Sequence, residues 1–362
     1  MIRLVPVSAA VCGALAVSAC AGLSAPKPCT PAMNDIQTIG SHNSYKLAIP
    51  SAELQALTER SAKWGAALDY AHIPLTQQLD LGMRQLELDV FHDPVGGRYS
   101  DPLLPKMVGG TVDATDLGTP GFKVLHVQDV DARSSCALFT QCLSEIRAWS
   151  NAHPEHAPLL ILINAKQARI ELPGAVEPLA FDGAAFDALD REIRSVFSVE
   201  HLLTPDDVRG SAPTLRNAVI SVGWPDTSAA RGKVFFALDE PEAVVEIYRR
   251  GEVSLQGHAM FVNSHDADAD DAAYVTINDP IGDGAVIAER VRAGFIVRTR
   301  ADADTVEARI GDRRRLEAAL ESGAHYISTD YYQPRRAWSD YVSALPDGAV
   351  VRANPLGTCV IW

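Results

Sequence analysis

Short apolar runs recur along the chain and alternate with segments of helical spacing. The run 159–163 is uninterrupted, which is typical of a parallel strand buried on both faces. The predicted strands cover residues 36–39, 84–90, 122–127, 159–163, 233–239, 259–263, 295–299 and 326–330. Helices are predicted over residues 51–68, 74–81, 181–197, 241–248 and 313–322. This alternation predicts an α/β fold, a single TIM-type (β/α)8 barrel over residues 35–362, with a doubly wound open sheet as the alternative.

Polar residues stand at or just beyond the carboxyl end of almost every apolar run. In a barrel these ends meet at one mouth, where the chemistry takes place. We therefore expect side chains that are far apart in sequence to converge there. They are His42, Glu87, Asp89, His126, Asn164, Asp239, Asn263, Arg298 and Asp330.

The second run carries two acids, Glu87 and Asp89, inside a segment that otherwise has the composition of a buried strand. Because side chains alternate along a strand, both carboxylates lie on one face. Buried carboxylates need a cation, a base or solvent. A divalent metal ion and an ion pair with a base such as Arg84 both fit this pattern.

The formal net charge of −14 argues against a nucleic-acid-binding protein. It also argues against attraction to anionic membranes, so an anionic substrate would need positive charge supplied locally at its site. The hydrophobic content of 47% is ample for one core of this size.

Met1–Ala19 has the features of an export signal: a basic residue, an apolar run and small residues before a cleavage point. Cys20 follows directly, as in bacterial lipoproteins, so we expect Cys20 to be lipidated and the protein to reside in the cell envelope. The alternative is an ordinary signal peptide and a secreted or periplasmic protein. Residues 20–34 are predicted to form a tether.

The cysteines that remain after the signal and Cys20 are even in number, which suggests two disulfides in an exported chain. We expect Cys136 to pair with Cys142 across a short loop. Cys29 would then pair with Cys359 and connect the two ends of the chain. This pairing follows from proximity and end-to-end closure, and other pairings are possible in principle.

The polar groups at the predicted mouth suit metal-assisted cleavage of a phosphodiester. A histidine near neutral pKa can remove a proton from an attacking hydroxyl, and a second can protonate the leaving oxygen. Amide and carboxylate oxygens without thiolates favour Ca²⁺ or, second to it, Mg²⁺ over zinc.

Several blocks of sequence resemble the calcium-dependent phosphoinositide-specific phospholipase C family of bacteria, in the same order along the chain. The blocks are residues 39–45 (IGSHNSY), 84–90 (RQLELDV), 124–126 (VLH), 294–302 (GFIVRTRAD) and 322–331 (SGAHYISTDY). The resemblance implies a phosphodiesterase-like barrel with His42 as general base and His126 as general acid. It also implies Asn43, Glu87 and Asp89 as calcium ligands.

Asn164 departs from the family pattern, which usually has a glutamate as a further metal ligand at this position. Its side-chain oxygen can bind calcium but brings no charge, so weaker metal affinity or a different metal is expected. Lys166 is a candidate for holding a phosphate oxygen, and Arg298 for binding the headgroup or pairing with a nearby acid.

The activity that the resemblance implies is cleavage of a phosphoinositide or a similar phosphodiester by attack of the inositol hydroxyl. The expected partners are a phospholipid or soluble diester and a membrane surface reached by the N-terminal lipid; the chain is expected to be a monomer. One alternative is a glycerophosphodiester phosphodiesterase, although that family commonly has an arginine where Asn43 stands. Another is a catalytically weakened lipoprotein that binds inositol lipids or glycans.

Overall fold

The computed structural model describes residues 30–357 and residue 359. The predicted signal Met1–Ala19, the lipidated Cys20 and the predicted disulfide partner Cys29 lie outside these residues. Met33, assigned to the tether by sequence, is fully buried in the main hydrophobic cluster.

The strands follow the predicted runs with three exceptions: one is shorter than its predicted run, and two were not predicted. In chain order they are β1 (Ile36–Ser41), β2 (Gln85–Phe91), β3 (Lys123–Val124), β4 (Leu159–Ala165), β5 (Val234–Leu238), β6 (Met260–Val262), β7 (Tyr274–Thr276), β8 (Ile296–Arg300), β9 (Tyr326–Thr329) and β10 (Val351–Ala353).

Helices connect the strands and are mostly short. They are α1 (Ser51–Arg60), α2 (Ala62–Ala67), α3 (Leu75–Asp80), α4 (Leu103–Met107), α5 (Phe139–Ala152), α6 (Gly183–Val196), α7 (Pro205–Arg209), α8 (Leu215–Ser221), α9 (Thr227–Ala230), α10 (Glu242–Arg249), α11 (Gly284–Arg292), α12 (Val306–Ile310) and α13 (Arg314–Glu321), with 3-10 turns at Met33–Asp35 and Pro346–Gly348.

The strands form two five-stranded sheets, in the orders β10-β1-β9-β8-β7 and β3-β2-β4-β5-β6. At one seam the amide of Arg84, just before β2, donates to the carbonyl oxygen of Ile39 in β1 over 2.9 Å. At the other seam Asn263 forms a parallel bridge with Tyr274. The parallel strands therefore follow one another round a TIM-type barrel, while β3 and β10 add antiparallel partners to β2 and β1.

Two predictions about the strands were wrong. The predicted strand 122–127 is reduced to β3, because Val127 and Asp131 hydrogen-bond each other across a tight loop. The parallel barrel is completed instead by β7, which is too short to give a recognisable apolar run. The predicted helix 51–68 is also divided at Ser61, whose side chain accepts a hydrogen bond from the amide of Trp64 over 3.3 Å.

The main core lies between the second sheet and its helices. Every residue of β4 except Asn164 is buried, as the uninterrupted apolar run predicted. The amphipathic helix α6 buries Phe186, Leu189 and Ile193 against this sheet. These contacts fix the end of β4 and, with it, the position of Asn164.

The predicted disulfide between Cys136 and Cys142 is confirmed. Cys359 is also disulfide-bonded, and its pairing with Cys29 stays a prediction. Within residues 30–357, no helix has the length and apolarity that a membrane crossing requires.

His325 is a buried structural histidine that should make stability depend on pH. Its Nδ1 accepts from the amide of Val297 over 3.0 Å, and its Nε2 donates to the carbonyl oxygen of Asn34 over 2.8 Å. Nδ1 can accept only in the neutral ring, and burial lowers the pKa of His325 from 6.5 to about 4. The unfolded chain therefore takes up the proton first, and stability present above pH 6.5 is lost as the pH falls towards 4.

We expect His325 to account for a loss of up to about 3 kcal/mol of unfolding free energy across that range. Urea unfolding at several pH values will measure it. The His325→Gln variant should be less stable at neutral pH and lose less on acidification, whereas His153→Gln, at an exposed site, should behave as wild type. An unchanged pH dependence in His325→Gln would contradict this account.

Candidate active site

His42 lies just beyond β1, where the chain turns sharply. Asn43 has a φ of 45°, in the left-handed region that asparagine tolerates better than most residues. In the register of β1 and β9, Ser41 pairs with Thr329, so His42 lies beside Asp330. The His42 Nδ1 is 2.9 Å from Asp330 Oδ1, and its Nε2 is 3.6 Å from Glu87 Oε1.

The charges around His42 determine which ring nitrogen carries the proton. Burial lowers the pKa of His42, and the positive charge of Arg300 lowers it further. Burial alone would raise the pKa of Asp330, but His42, His72 and Arg300 outweigh it and hold that pKa well below its usual range. Because Asp330 is ionised, neutral His42 donates from Nδ1, which leaves Nε2 as a proton acceptor.

His126 has the same kind of support from a different acid. Its Nδ1 is 2.9 Å from Asp131 Oδ2, and the same oxygen lies 3.2 Å from the Nζ of buried Lys46. The loop that shortens the predicted third strand is therefore what brings Asp131 back to His126. Lys46 therefore places a positive charge beside the carboxylate that holds His126.

Tyr70 lies between the two histidines. Its ring stacks on His42 with centroids 6.2 Å apart and meets His126 edge-on at 6.3 Å. Its hydroxyl accepts from Asn43 Nδ2 over 2.7 Å, and the Nζ of Lys46 is 4.6 Å from its ring centroid. Both histidines consequently stand at the same mouth, although no pattern in the sequence indicated Tyr70.

The two strand acids are each paired with a base. Glu87 Oε2 accepts from Arg298 Nη2 over 2.6 Å, and its Oε1 accepts from Asn164 Nδ2 over 3.1 Å. Asp89 Oδ2 lies 3.1 Å from Lys166 Nζ. The charge of Asp89 raises the pKa of Lys166, so this lysine is cationic.

The predicted calcium donors do not fit the ion in this arrangement. Asn164 presents its amide nitrogen to Glu87, and nitrogen of an amide is not a ligand for calcium. Displacing Arg298 from Glu87 would leave a buried charge unpaired, at about 3–5 kcal/mol. Within the described residues, no group of three or more His, Cys, Asp and Glu side chains is arranged to hold a metal ion.

A cavity of about 340 Å³ opens beside His126, and Asn164, Lys166, Asp239 and Glu240 also line it. Burial raises the pKa of Glu240 to about 7, although its Oε1 accepts from the amide of Ala165 over 2.6 Å. The cavity thus places the cationic Lys166 next to a histidine that can donate a proton.

The structure brings together nearly all the side chains predicted at the mouth. Asn43, Glu87, Asn164 and Arg298 form one connected group with the two histidines. The pair of Asp89 with Lys166 lies beside this group, because Asp89 is in register with Asn164. Asp239 lines the same cavity as Asn164 and Lys166, and its Oδ1 accepts from Asn263 Nδ2 over 2.9 Å. The catalytic, metal and substrate roles assigned to these residues remain predictions.

The residues that sequence reasoning missed are those that orient the histidines. Asp330 was expected at the mouth but not as the partner of His42. Asp131, Lys46 and Tyr70 were not indicated at all. The available signals were weak: Asp131 follows His126 by five positions, and Lys46 follows His42 by four.

A barrel with two carboxylate-supported histidines and lysine and arginine at one mouth defines the protein as a phosphoric diester hydrolase of the phospholipase C type. Residues 32–355 match the family model described as phosphoinositide phospholipase C, Ca²⁺-dependent. The chain belongs to this family. The match covers all the strands and both histidines.

Two solved structures share the fold. A calcium-dependent phosphoinositol-specific phospholipase C from Pseudomonas sp is 16% identical, covering 90% of this chain and 96% of the other, with a TM-score of 0.55. A Ca²⁺-dependent phosphatidylinositol-specific phospholipase C from Streptomyces antibioticus is 17% identical, covering 83% and 95%, with a TM-score of 0.52. No curated protein matches the chain.

Asp330 should act on catalysis through His42. We expect Asp330→Asn to lower kcat/KM by about 10²–10⁴-fold, because the amide no longer stabilises the imidazolium or holds its tautomer. The carboxylate raises the pKa of His42, so its loss should also move the acidic limb of the pH–rate profile to lower pH. An activity loss with an unmoved limb would indicate a structural role, which urea unfolding of the variant will measure.

Proposed function

We propose that the protein cleaves phosphatidylinositol, or a closely related inositol phosphodiester, by attack of the neighbouring inositol hydroxyl on phosphorus. The observation that carries this proposal is the pair of histidines about Tyr70, each with Nδ1 bonded to its own carboxylate. Two histidines supported in this way suit a reaction in which one proton is removed and another is delivered.

In the proposed reaction His42 Nε2 takes the proton of the attacking hydroxyl as the new oxygen–phosphorus bond forms. His126 gives its proton to the departing glycerol oxygen as the old bond breaks. The products are a cyclic inositol phosphate and diacylglycerol. Lys166, at the cavity edge beside His126, would hold a phosphate oxygen. Arg298 would balance the negative charge of Glu87.

If a calcium ion bound to this chain, Asn43, Glu87, Asp89 and Asn164 would be the residues to hold it. Their amide and carboxylate oxygens are the ligand types that calcium prefers, and the ion would shield charge on the phosphate. The ion pairs of Glu87 and Asp89 would have to open first. For that reason every step above is assigned to side chains.

We also propose that the protein is exported, with Cys20 carrying a lipid that keeps it at a membrane. The export signal in the sequence favours this location, and the disulfide-bonded cysteines 136, 142 and 359 are in keeping with an oxidising compartment. An anchored enzyme would meet its lipid substrate at the surface despite the net charge of −14.

Product analysis tests the proposed activity. Phosphatidylinositol in detergent micelles is incubated with the purified protein, and phosphorus NMR identifies the soluble ester. A cyclic inositol phosphate is the expected product. Glycerophosphoinositol as substrate, yielding glycerol phosphate, would instead identify a glycerophosphodiester phosphodiesterase, and binding without turnover would identify a lipid-binding protein.

A further inference from the structure

We propose that Arg298 and Lys166 take the place of a divalent cation at this mouth, so that the protein works without calcium. The catalytic part of this inference rests on the proposed function, whereas the metal-binding part does not.

Each acid that calcium would need already has a cation. Arg298 and Glu87 are both almost completely buried, with side-chain exposures of 2% and 5%. Asp89 is equally buried, at 2%, while its partner Lys166 is 35% exposed. Each base therefore already balances the charge of the acid that a divalent ion would have to bind. The buried pairs would also have to separate before an ion could bind.

Arg298 is fixed in place by more than its ion pair. It is on β8, its Nη1 donates to Asn278 Oδ1, and its Nη2 donates to Glu87. The guanidinium is therefore held from two sides at the centre of the barrel mouth. Fixed donors of this kind stabilise developing charge without reorganisation during the reaction.

Asn164 fits this arrangement because its amide is uncharged and donates a hydrogen bond to an acid that already has a base. It pairs with Asp89 in the register of β2 and β4 and directs its Nδ2 to Glu87 Oε1 over 3.1 Å. A glutamate in its place would put a third carboxylate against Glu87, which only an added cation could compensate. The amide at this position therefore leaves the pairs of Glu87 with Arg298 and Asp89 with Lys166 without a further carboxylate from β4.

Lys166 provides the accessible part of the substitution. Its ammonium group is at the edge of the cavity that also contains His126. A phosphate oxygen can accept from the ammonium group while Asp89 retains it in place. Two tasks of the metal are then shared between the bases: Arg298 balances the charge of Glu87, and Lys166 neutralises the phosphate.

The test uses the wild-type chain, Lys166→Ala/Arg298→Ala and a control, Arg231→Ala. Arg231 is an exposed residue just before β5, away from the mouth, and its ion-pair partner in the described residues is Glu155. Calcium chloride is titrated into each protein by calorimetry, and the melting temperature is recorded with calcium and with EDTA. For wild type and control we expect no saturable heat and an unchanged Tm.

The double variant leaves Glu87 and Asp89 uncompensated, so we expect it to gain calcium binding and a calcium-dependent rise in Tm. On phosphatidylinositol, wild-type turnover should change by less than about twofold on chelation, and the double variant should lose about 10²-fold. Stoichiometric calcium binding by the wild-type protein, or loss of its turnover in EDTA, would overturn the inference.

The two proposals fail in different ways. If the wild-type protein cleaves no inositol lipid with or without calcium, the proposed function is wrong, and the calorimetric titration still decides the inference about metal. If the double variant does not fold by circular dichroism, Lys166→Ala alone replaces it, because Lys166 is the more exposed of the two bases. We expect Lys166→Ala to bind calcium at Asp89, and the absence of binding would count against the inference.

Discussion

The His42→Ala variant is expected to cleave phosphatidylinositol about 10²–10⁴ times more slowly than the wild-type enzyme. The neutral imidazole is oriented by Asp330, which leaves Nε2 free to take the hydroxyl proton. The side chain is otherwise involved in stacking on Tyr70, so the barrel should fold without it. Initial rates in mixed micelles measure the loss.

A matched control separates catalysis from general effects of removing a histidine. His201 lies in the turn after α6, where its Nδ1 is 2.9 Å from the hydroxyl of Ser198. His201→Ala should retain wild-type rates. Added imidazole should restore part of the activity of His42→Ala and none to the control, since a small base can enter the space left by the ring. A His42→Ala rate within tenfold of wild type would rule out this residue as the general base.

The barrel was predictable because its two long strands have clear patterns. Residues 159–163 are an uninterrupted apolar run, typical of a strand buried on both faces, and residues 84–90 alternate between polar and apolar residues; they gave β4 and β2 nearly at their true limits. The three residues of β7 carry no such pattern, and they form a strand through their neighbour β8. The segment 122–127 has a strand composition, but loop contacts of Asp131 end it after Val124.

The site was predictable to the extent that alternation and strand ends determine it. Glu87 and Asp89 do point the same way, as the period of a strand requires. Their partners could not be identified from the pattern, because Arg298 reaches Glu87 from a strand 211 positions away. Sequence reasoning left an ion pair or a metal open at these acids, and it is the packing of β8 against the mouth that brings a base to Glu87.

The pairing of each histidine with a separate acid suggests a division of labour that the sequence did not show. Asp330 directly follows β9, and its Oδ2 lies 3.6 Å from Arg300 Nη2. Asp131 belongs to a loop and is tied to Lys46. Two acids of different origin hold the two rings, so either histidine can be disabled without displacing the other. This separation makes single substitutions informative about the order of proton transfers.

The His126→Ala variant is expected to lose activity only where the leaving group needs a proton. On phosphatidylinositol the rate should fall about 10²–10⁴-fold, because the glycerol oxygen departs poorly as an alkoxide. On an inositol nitrophenyl phosphate, whose phenolate departs unprotonated, the same variant should remain within about tenfold of wild type. Parallel rate measurements on the two substrates test this difference.

His42→Ala provides the comparison for that experiment. A general base acts on the attacking hydroxyl, so its removal should slow both substrates alike, whereas removal of a general acid should slow one. His126 is suited to the second role because it lines the cavity next to Lys166 and its Nδ1 is held by Asp131. If His126→Ala loses equally on both substrates, His126 does not protonate the leaving group, and its role would be to bind the phosphate.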